Sequence, residues 1–353
     1  MPTAALVSAF MLLAAPQEPA RLASLPSSMP PRASVLAPEE GVSLSVPDKQ
    51  PARTLRIGDP APALRVREWI VESGAPKEGL QPGTAYVLVF FSSSQRPIKT
   101  LLDSVSNLSE RFRDRFVRVV GITGENKGAT RNDFNTVLDA YKHYVRFPLA
   151  WDDASTTRDA YLLALGGHQE PMVIVIDPKG RIAWYGRPGQ TTPVLNAILA
   201  DQWNLEAVRQ QIEHTEDVAW LRIEIVRAQR AKDPKRMLAA GEKLRDACTS
   251  GSDEDRAELI RFADDVSARA GVFDLAANKD LAHLARTLAE IAIRDRDEDP
   301  RTLAVVARAR FADSDADGAK AAARRALEIL GSKVPTDNDL LDEIKRDFER
   351  FSK

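Results

Sequence analysis

Residues 87–99 read VLVFFSSSQRPIK. Five apolar residues in succession, rich in β-branched and aromatic side chains and closed by small polar ones, predict a buried strand. Pro97 follows, and from there Ile98, Leu101, Leu102, Val105, Leu108 and Phe112 recur at helical spacing, with proline in the position that opens a helix. A strand that breaks into a short turn and passes directly into a helix presents that turn at the top of a sheet, where many proteins hold a nucleophile. Here the turn offers Ser92, Ser93, Ser94, Gln95 and Arg96.

Working outward, residues 117–122 predict a second strand and residues 132–144 a second helix. Residues 172–176 and 181–185 are two further apolar runs joined by Asp177-Pro178-Lys179-Gly180. Proline presets the first turn angle and glycine takes the left-handed position, so these runs form a β-hairpin. A short helix is expected over 193–200. Helix-length crossovers require parallel neighbours and a tight turn requires an antiparallel pair. The expected architecture is therefore a central sheet with parallel crossovers and one antiparallel edge.

This order of elements, with Ile57-Gly58-Asp59-Pro60-Ala61-Pro62 at its entry, Pro97 at the helix start, Pro171 before the third strand and Ile176-Asp177-Pro178-Lys179-Gly180-Arg181-Ile182-Ala183-Trp184, resembles the thioredoxin-like redoxins of the exported TlpA-like or AhpC/TSA type. The resemblance covers about 140 residues and implies a thioredoxin-like α/β fold. In that family the turn carries Cys-x-x-Cys, because a thiolate is the reagent and a helix N-terminus lowers the thiol pKa. Anchored on Phe90-Phe91 and Pro97, the two cysteine positions fall on Gln95 and Ile98. Moving the register reaches Ser94 or Arg96, and no register supplies a thiol. Ser94, Gln95, Arg96, Pro97 and Ile98 are thus expected to be a degenerate redox site with no catalytic residue. A Ser94–His168 hydrolytic pair is the remaining chemical alternative, since a serine needs a base to take its proton; His168 as a solvent-facing loop residue is the simpler reading. The resemblance also implies a cis peptide at Glu170-Pro171 and a peptide-binding groove there. A proline that merely enters a strand is the alternative.

The 353 residues suit two domains. Residues 1–15 contain an apolar run of signal-peptide length, too short to span a membrane, although no Lys or Arg precedes it and Pro16 follows directly. Residues 16–54 are rich in Pro, Ala and Ser and predict a linker. Residues 55–202 form the redoxin domain. Residues 203–353 lose the strand pattern and predict an all-helical domain of stacked hairpins. Small residues at Ala307, Ala319 and Ala326 resemble tetratricopeptide spacing, a weaker copy runs over 217–248, and Leu340, Leu341, Ile344, Phe348 and Phe351 mark a capping helix.

A formal net charge of -2 gives no electrostatic basis for nucleic-acid binding or for a basic membrane surface. One cysteine, Cys248, excludes an intramolecular disulfide and any multi-cysteine metal site, and it reads as a structural thiol or, alternatively, a redox-sensing one. Asp313-Ser314-Asp315-Ala316-Asp317-Gly318 begins like a calcium loop but has Arg324 in the twelfth position, and reads better as a capped turn between two helices. Residues 121–128, with Gly121, Gly124 and Gly128, lack the Gly-Lys-Ser/Thr ending of a phosphate loop. Trp151, Trp184 and Trp203 read as packing residues. No metal and no cofactor is expected, and the expected partner is another protein. Three functions remain open: a redox-inactive protein-binding scaffold, a thiol-disulfide oxidoreductase or peroxiredoxin-like enzyme as the resemblance implies, and a structural spacer.

Overall fold

The computed structural model describes residues 50 and 52–352, except 93, 95, 96, 125–129, 153, 154, 168, 169, 269–271, 295–298 and 333–337. The first half contains β1 (Glu68–Val71), β2 (Ala85–Phe90), α1 (Ile98–Phe112), β3 (Val117–Thr123), α2 (Arg131–Tyr141), β4 (Leu149–Trp151), the single turn α3 (Thr156–Arg158), β5 (Met172–Ile176), β6 (Ile182–Gly186) and α4 (Thr191–Leu199). The strands form one six-stranded sheet in the order β1-β4-β3-β2-β5-β6.

Every residue of β2 is buried, as its unbroken apolar run requires of a strand covered on both faces. It pairs parallel with β3, and β3 pairs parallel with β4, so α1 and α2 are the crossovers. On its other side β2 pairs antiparallel with β5, which continues into β6 through the expected hairpin. That turn is held by Asp177, whose Oδ1 accepts from the Lys179 and Arg181 backbone amides at 2.9 Å each and whose Oδ2 takes the Arg181 guanidinium at 2.7 Å. Gly180 has φ 78°, the left-handed value the turn demands.

Two details differ from expectation. The sheet has a second antiparallel margin, because β1 pairs antiparallel with β4. The second helix ends at Tyr141 and passes into a 3-10 turn over Lys142–Tyr144. Both β1 and β4 are too short for a two-residue period to stand out from flanking loops.

The second half is entirely helical among the described residues: α5 (Leu205–Ala231), α6 (Pro234–Ala247), α7 (Asp253–Ser267), α8 (Lys279–Ile293), α9 (Pro300–Ala312), α10 (Ala316–Ser332) and α11 (Asn338–Phe351). Consecutive helices pack as the hairpins α5/α6, α7/α8 and α9/α10, with α11 against α10. The sequence starts α6 and α9 by the same device. Asp233 and Asp299 cap them, each carboxylate accepting two backbone amides, and Pro234 and Pro300 occupy the next position. Arg308 joins three helices, donating to Asp264 of α7 at 2.7 Å and to Glu343 of α11 at 2.8 Å.

The expected boundary near Trp203 falls at the start of α5, a 27-residue helix that two apolar cores share. Leu205, Val208 and Ile212 belong to the core around the sheet. Val218, Leu221, Ile225 and Ala228 belong to the core of the helical half. Trp203 Nε1, two residues before α5, donates to the Ala183 carbonyl at 2.9 Å and Tyr185 Oη donates to Glu216 of α5 at 2.9 Å, so the helix and the residues leading into it are fastened to the outer strand of the sheet.

Candidate functional site

The candidate site lies where β2 leaves the sheet. Phe91 remains hydrogen-bonded to the Ile122 carbonyl at 3.1 Å, and the chain then turns away. Ser92 is buried, and its hydroxyl meets that of Ser94 at 2.9 Å and accepts from the Ser94 amide at 3.3 Å. Among the described residues the Ser94 hydroxyl is thus engaged with another serine. Pro97 has an extended backbone as the cap of α1. Ile98, expected at the second cysteine position of the motif that the resemblance implies, is 4% exposed and forms part of the sheet's apolar core. Gln95 and Arg96 lie outside the described residues, as does His168.

The second part of the site enters from the antiparallel side. In the β2–β5 ladder Phe90 stands opposite Met172, which places Pro171 beside the point where β2 ends. The Glu170-Pro171 peptide is cis, as the resemblance implies. The Glu170 carboxylate accepts from Arg158 Nε at 3.0 Å. The Arg158 amide in turn donates to Asp152 Oδ2 at 2.8 Å. Burial of Asp152 raises its pKa, an effect opposed by the backbone amides of Arg158, Thr157 and Thr156 that favour the carboxylate. The sequence reading identified Glu170 and Pro171 but missed Asp152 and Arg158. Asp152 followed by Ser155, Thr156 and Thr157 is a capping pattern that could have marked the turn α3; the reach of Arg158 to Glu170 has no local signal.

Cys248 is remote from this site in the fold. It ends α6, is buried within the helical core and donates its amide to the Leu244 carbonyl at 2.9 Å. Burial, helped by the Asp255 and Glu258 carboxylates, pushes its thiol up to about 12. A thiol held that high is protonated at neutral pH, and the thiolate is the form that attacks or ligates.

The other candidate motifs are occupied structurally. Asp315 Oδ1 accepts from the Gly318 amide at 2.9 Å, capping α10, while Asp313 and Asp315 both meet Arg286. Among the described residues no group of three His, Cys, Asp or Glu side chains is placed to hold a metal, and no helix is long and apolar enough to cross a membrane. Gly121 lies within β3, and Gly124 lies so close to the Asp152 carbonyl that a Cβ would fall 2.1 Å from it. Residues 125–128 lie outside the described residues. Trp151 packs on Phe134 with ring centroids 5.5 Å apart, and Trp184 is buried in the sheet core.

A sheet with parallel crossovers, a strand–turn–helix at its centre and an antiparallel strand entered at Pro171 beside the end of β2 defines a thioredoxin-like domain. Residues 57–185 match the AhpC/TSA family, so the α/β half of the chain is a thioredoxin-like redoxin domain followed by an all-helical region. The chain is similar to Protein FixW of Rhizobium leguminosarum, with 27% identity over 156 residues that cover 43% of this chain and 70% of that protein. Among solved structures it is similar to a candidate thiol:disulfide interchange protein DsbE from Chlorobium tepidum, with 20% identity, 42% of this chain and 99% of that one covered, and a TM-score of 0.32. It is also similar to StoA from Bacillus subtilis, with 16% identity, 38% and 97% covered, and a TM-score of 0.30.

Proposed function

We propose that this chain is a redox-inactive member of the thioredoxin-like redoxins, exported from the cytoplasm, that works by holding another protein. The reading divides the chain into an export segment over 1–15, a linker over 16–54, the redoxin domain over 55–202 and a tetratricopeptide-like helical domain over 203–353. The observation that carries it is the placement of the sole cysteine. Thiol–disulfide exchange requires a thiolate to attack a disulfide sulfur. Cys248 lies in the helical core with its thiol pushed up to about 12, while Ile98 fills the second motif position as a core residue. Capture of an extended peptide beside Glu170 and Pro171 requires backbone pairing and a complementary surface, and no thiol. The helical hairpins add a second surface of the kind stacked repeats use for binding.

The competing reading, a thiol-disulfide oxidoreductase or peroxiredoxin-like enzyme, would need thiols supplied by a partner. Insulin reduction with dithiothreitol as electron source separates the two. The native chain is expected to add nothing to the rate of dithiothreitol alone, and disulfide reductase activity that survives Cys248→Ser would overturn the proposal. Crosslinking and pull-down from envelope extract, with native chain and with Pro171→Ala, tests the binding role. A partner captured equally by both would remove the groove from the reading, and no partner at all would leave the redoxin domain as a spacer.

A further inference from the structure

The segment that leads into the redoxin domain is strapped along α5. Arg56 pairs with Glu213 at 3.6 Å; Arg53 pairs with Glu216 at 3.0 Å and with Asp217 at 2.8 Å; Gln50 Nε2 donates to Asp217 at 3.0 Å. Read toward the N-terminus, these contacts advance toward the C-terminal end of α5, so the strap runs antiparallel to the helix. Glu213, the adjacent pair Glu216 and Asp217, Trp220, Ile223 and Arg227 recur at helical spacing and share one stripe of α5. The stripe changes character where the described strap stops. Trp220 and Ile223 are half-buried and contribute to none of the three apolar clusters. Among the described residues Trp220 meets the Arg227 guanidinium, 5.4 Å from its ring centroid.

The sequence just before Gln50 has the complementary pattern. Val42, Ser43, Leu44, Ser45 and Val46 alternate apolar and polar residues strictly, which in an extended chain sets Val42, Leu44 and Val46 on one face. The lengths agree. Trp220 and Ile223 lie about 4.5 Å and about 9 Å beyond Asp217 along the helix axis. Val46 is four residues from Gln50, a reach of up to about 13 Å. From these observations we infer that residues 42–46 continue the strap and dock their apolar face on Trp220 and Ile223 of α5. The docked segment fixes where the linker leaves the molecule and closes the apolar stripe at the joint between the redoxin and helical halves. This goes beyond the binding role proposed above and does not depend on it.

The test uses the full chain and its triple variant Val42→Ser, Leu44→Ser, Val46→Ser, which changes no residue of the ion pairs or of the three apolar clusters named above. Acrylamide quenching is measured in each, and in each with Trp220→Phe, so that the difference reports Trp220 alone. Sedimentation gives the oligomeric state of every sample. The inference expects a monomer in which the triple variant shifts Trp220 emission to the red and raises its quenching. Identical Trp220 emission and quenching in the two monomers would overturn it. So would a native dimer whose dissociation by dilution exposes Trp220 whether or not the serines are present, since the stripe would then be covered by a second copy.

Discussion

At the scale of single residues, the turn after β2 is where the resemblance implies a dithiol and where the sequence carries no cysteine. In the register anchored on Phe90, Phe91 and Pro97 the two cysteine positions fall on Gln95 and Ile98, and Ile98 is part of the core. Gln95→Cys with Ile98→Cys therefore measures whether the turn supports a dithiol. The second substitution trades a buried isoleucine for a smaller side chain and should cost on the order of 1 kcal/mol. The thiol introduced for Gln95, beside the N-terminal amides of α1, should titrate below the reference value of about 8.5 and give the double variant insulin reductase activity. A normal thiol pKa and an inert variant would show that the surroundings do not support one. Cys248 makes the opposite case. Its folded pKa is raised, so the folded state holds the proton after the unfolded chain has released it. The stability this thiol contributes is fully present below about pH 8.5 and declines as pH rises toward about 12. Urea unfolding between pH 8 and about 10.5 should show the native chain losing stability faster than Cys248→Ala, by at most roughly 1.4 kcal/mol per pH unit. Parallel curves would mean that the thiol is not held protonated by the fold.

Among the elements, what could be read in advance depended on how local the signal was. The strands β2, β3, β5 and β6 are apolar runs of five to seven residues, and α1 keeps its apolar stripe from Ile98 to Phe112, so each announces itself. The margin made by β1 and β4 does not, because a three-residue strand such as β4 gains its identity from pairing across the sheet. The candidate site divides the same way. The expected register at Gln95 and Ile98 rests on the local anchors Phe90, Phe91 and Pro97; the chain from Asp152 through Arg158 to Glu170 was not legible, because it links side chains that only folding brings together. Gly241 is another long-range feature. In sequence it looks like a flaw in α6, where alanine would favour the helix by about 1 kcal/mol. In the structure a Cβ there would fall 2.3 Å from the Phe262 ring and 2.8 Å from Leu284. Gly241→Ala should therefore destabilise the chain by roughly 1–3 kcal/mol in urea despite its better propensity. A stabilised variant would show that α6, α7 and α8 can separate enough to admit a methyl group.

For the molecule as a whole, α5 decides whether the chain is two bodies or one. A change from strands to helices near Trp203 suggests a cut there, and a linker at that point would let the halves move freely. The helix instead begins by completing the redoxin core, with Val208 buried and Leu205 and Ile212 against the same cluster, and only then enters the helical core. Tyr185 adds a hydrogen bond from the outer strand to Glu216 of α5, and Trp203, just before the helix, adds another to Ala183. The redoxin domain should accordingly need the first three turns of α5 for its own stability. Two chains of residues 50–202 and 50–217 make the comparison directly. The longer one restores Trp203, Leu205, Val208 and Ile212 together with the acceptor for Tyr185 and the carboxylates that hold Arg53. Burying one large apolar side chain contributes about 1.5–3 kcal/mol, and a helix of this length gains its stability from such burial more than from propensity. The chain ending at residue 217 should therefore unfold at a clearly higher urea concentration than the chain ending at 202. Coincident midpoints would return the boundary to Trp203 and reduce α5 to a helix that merely rests on its neighbour.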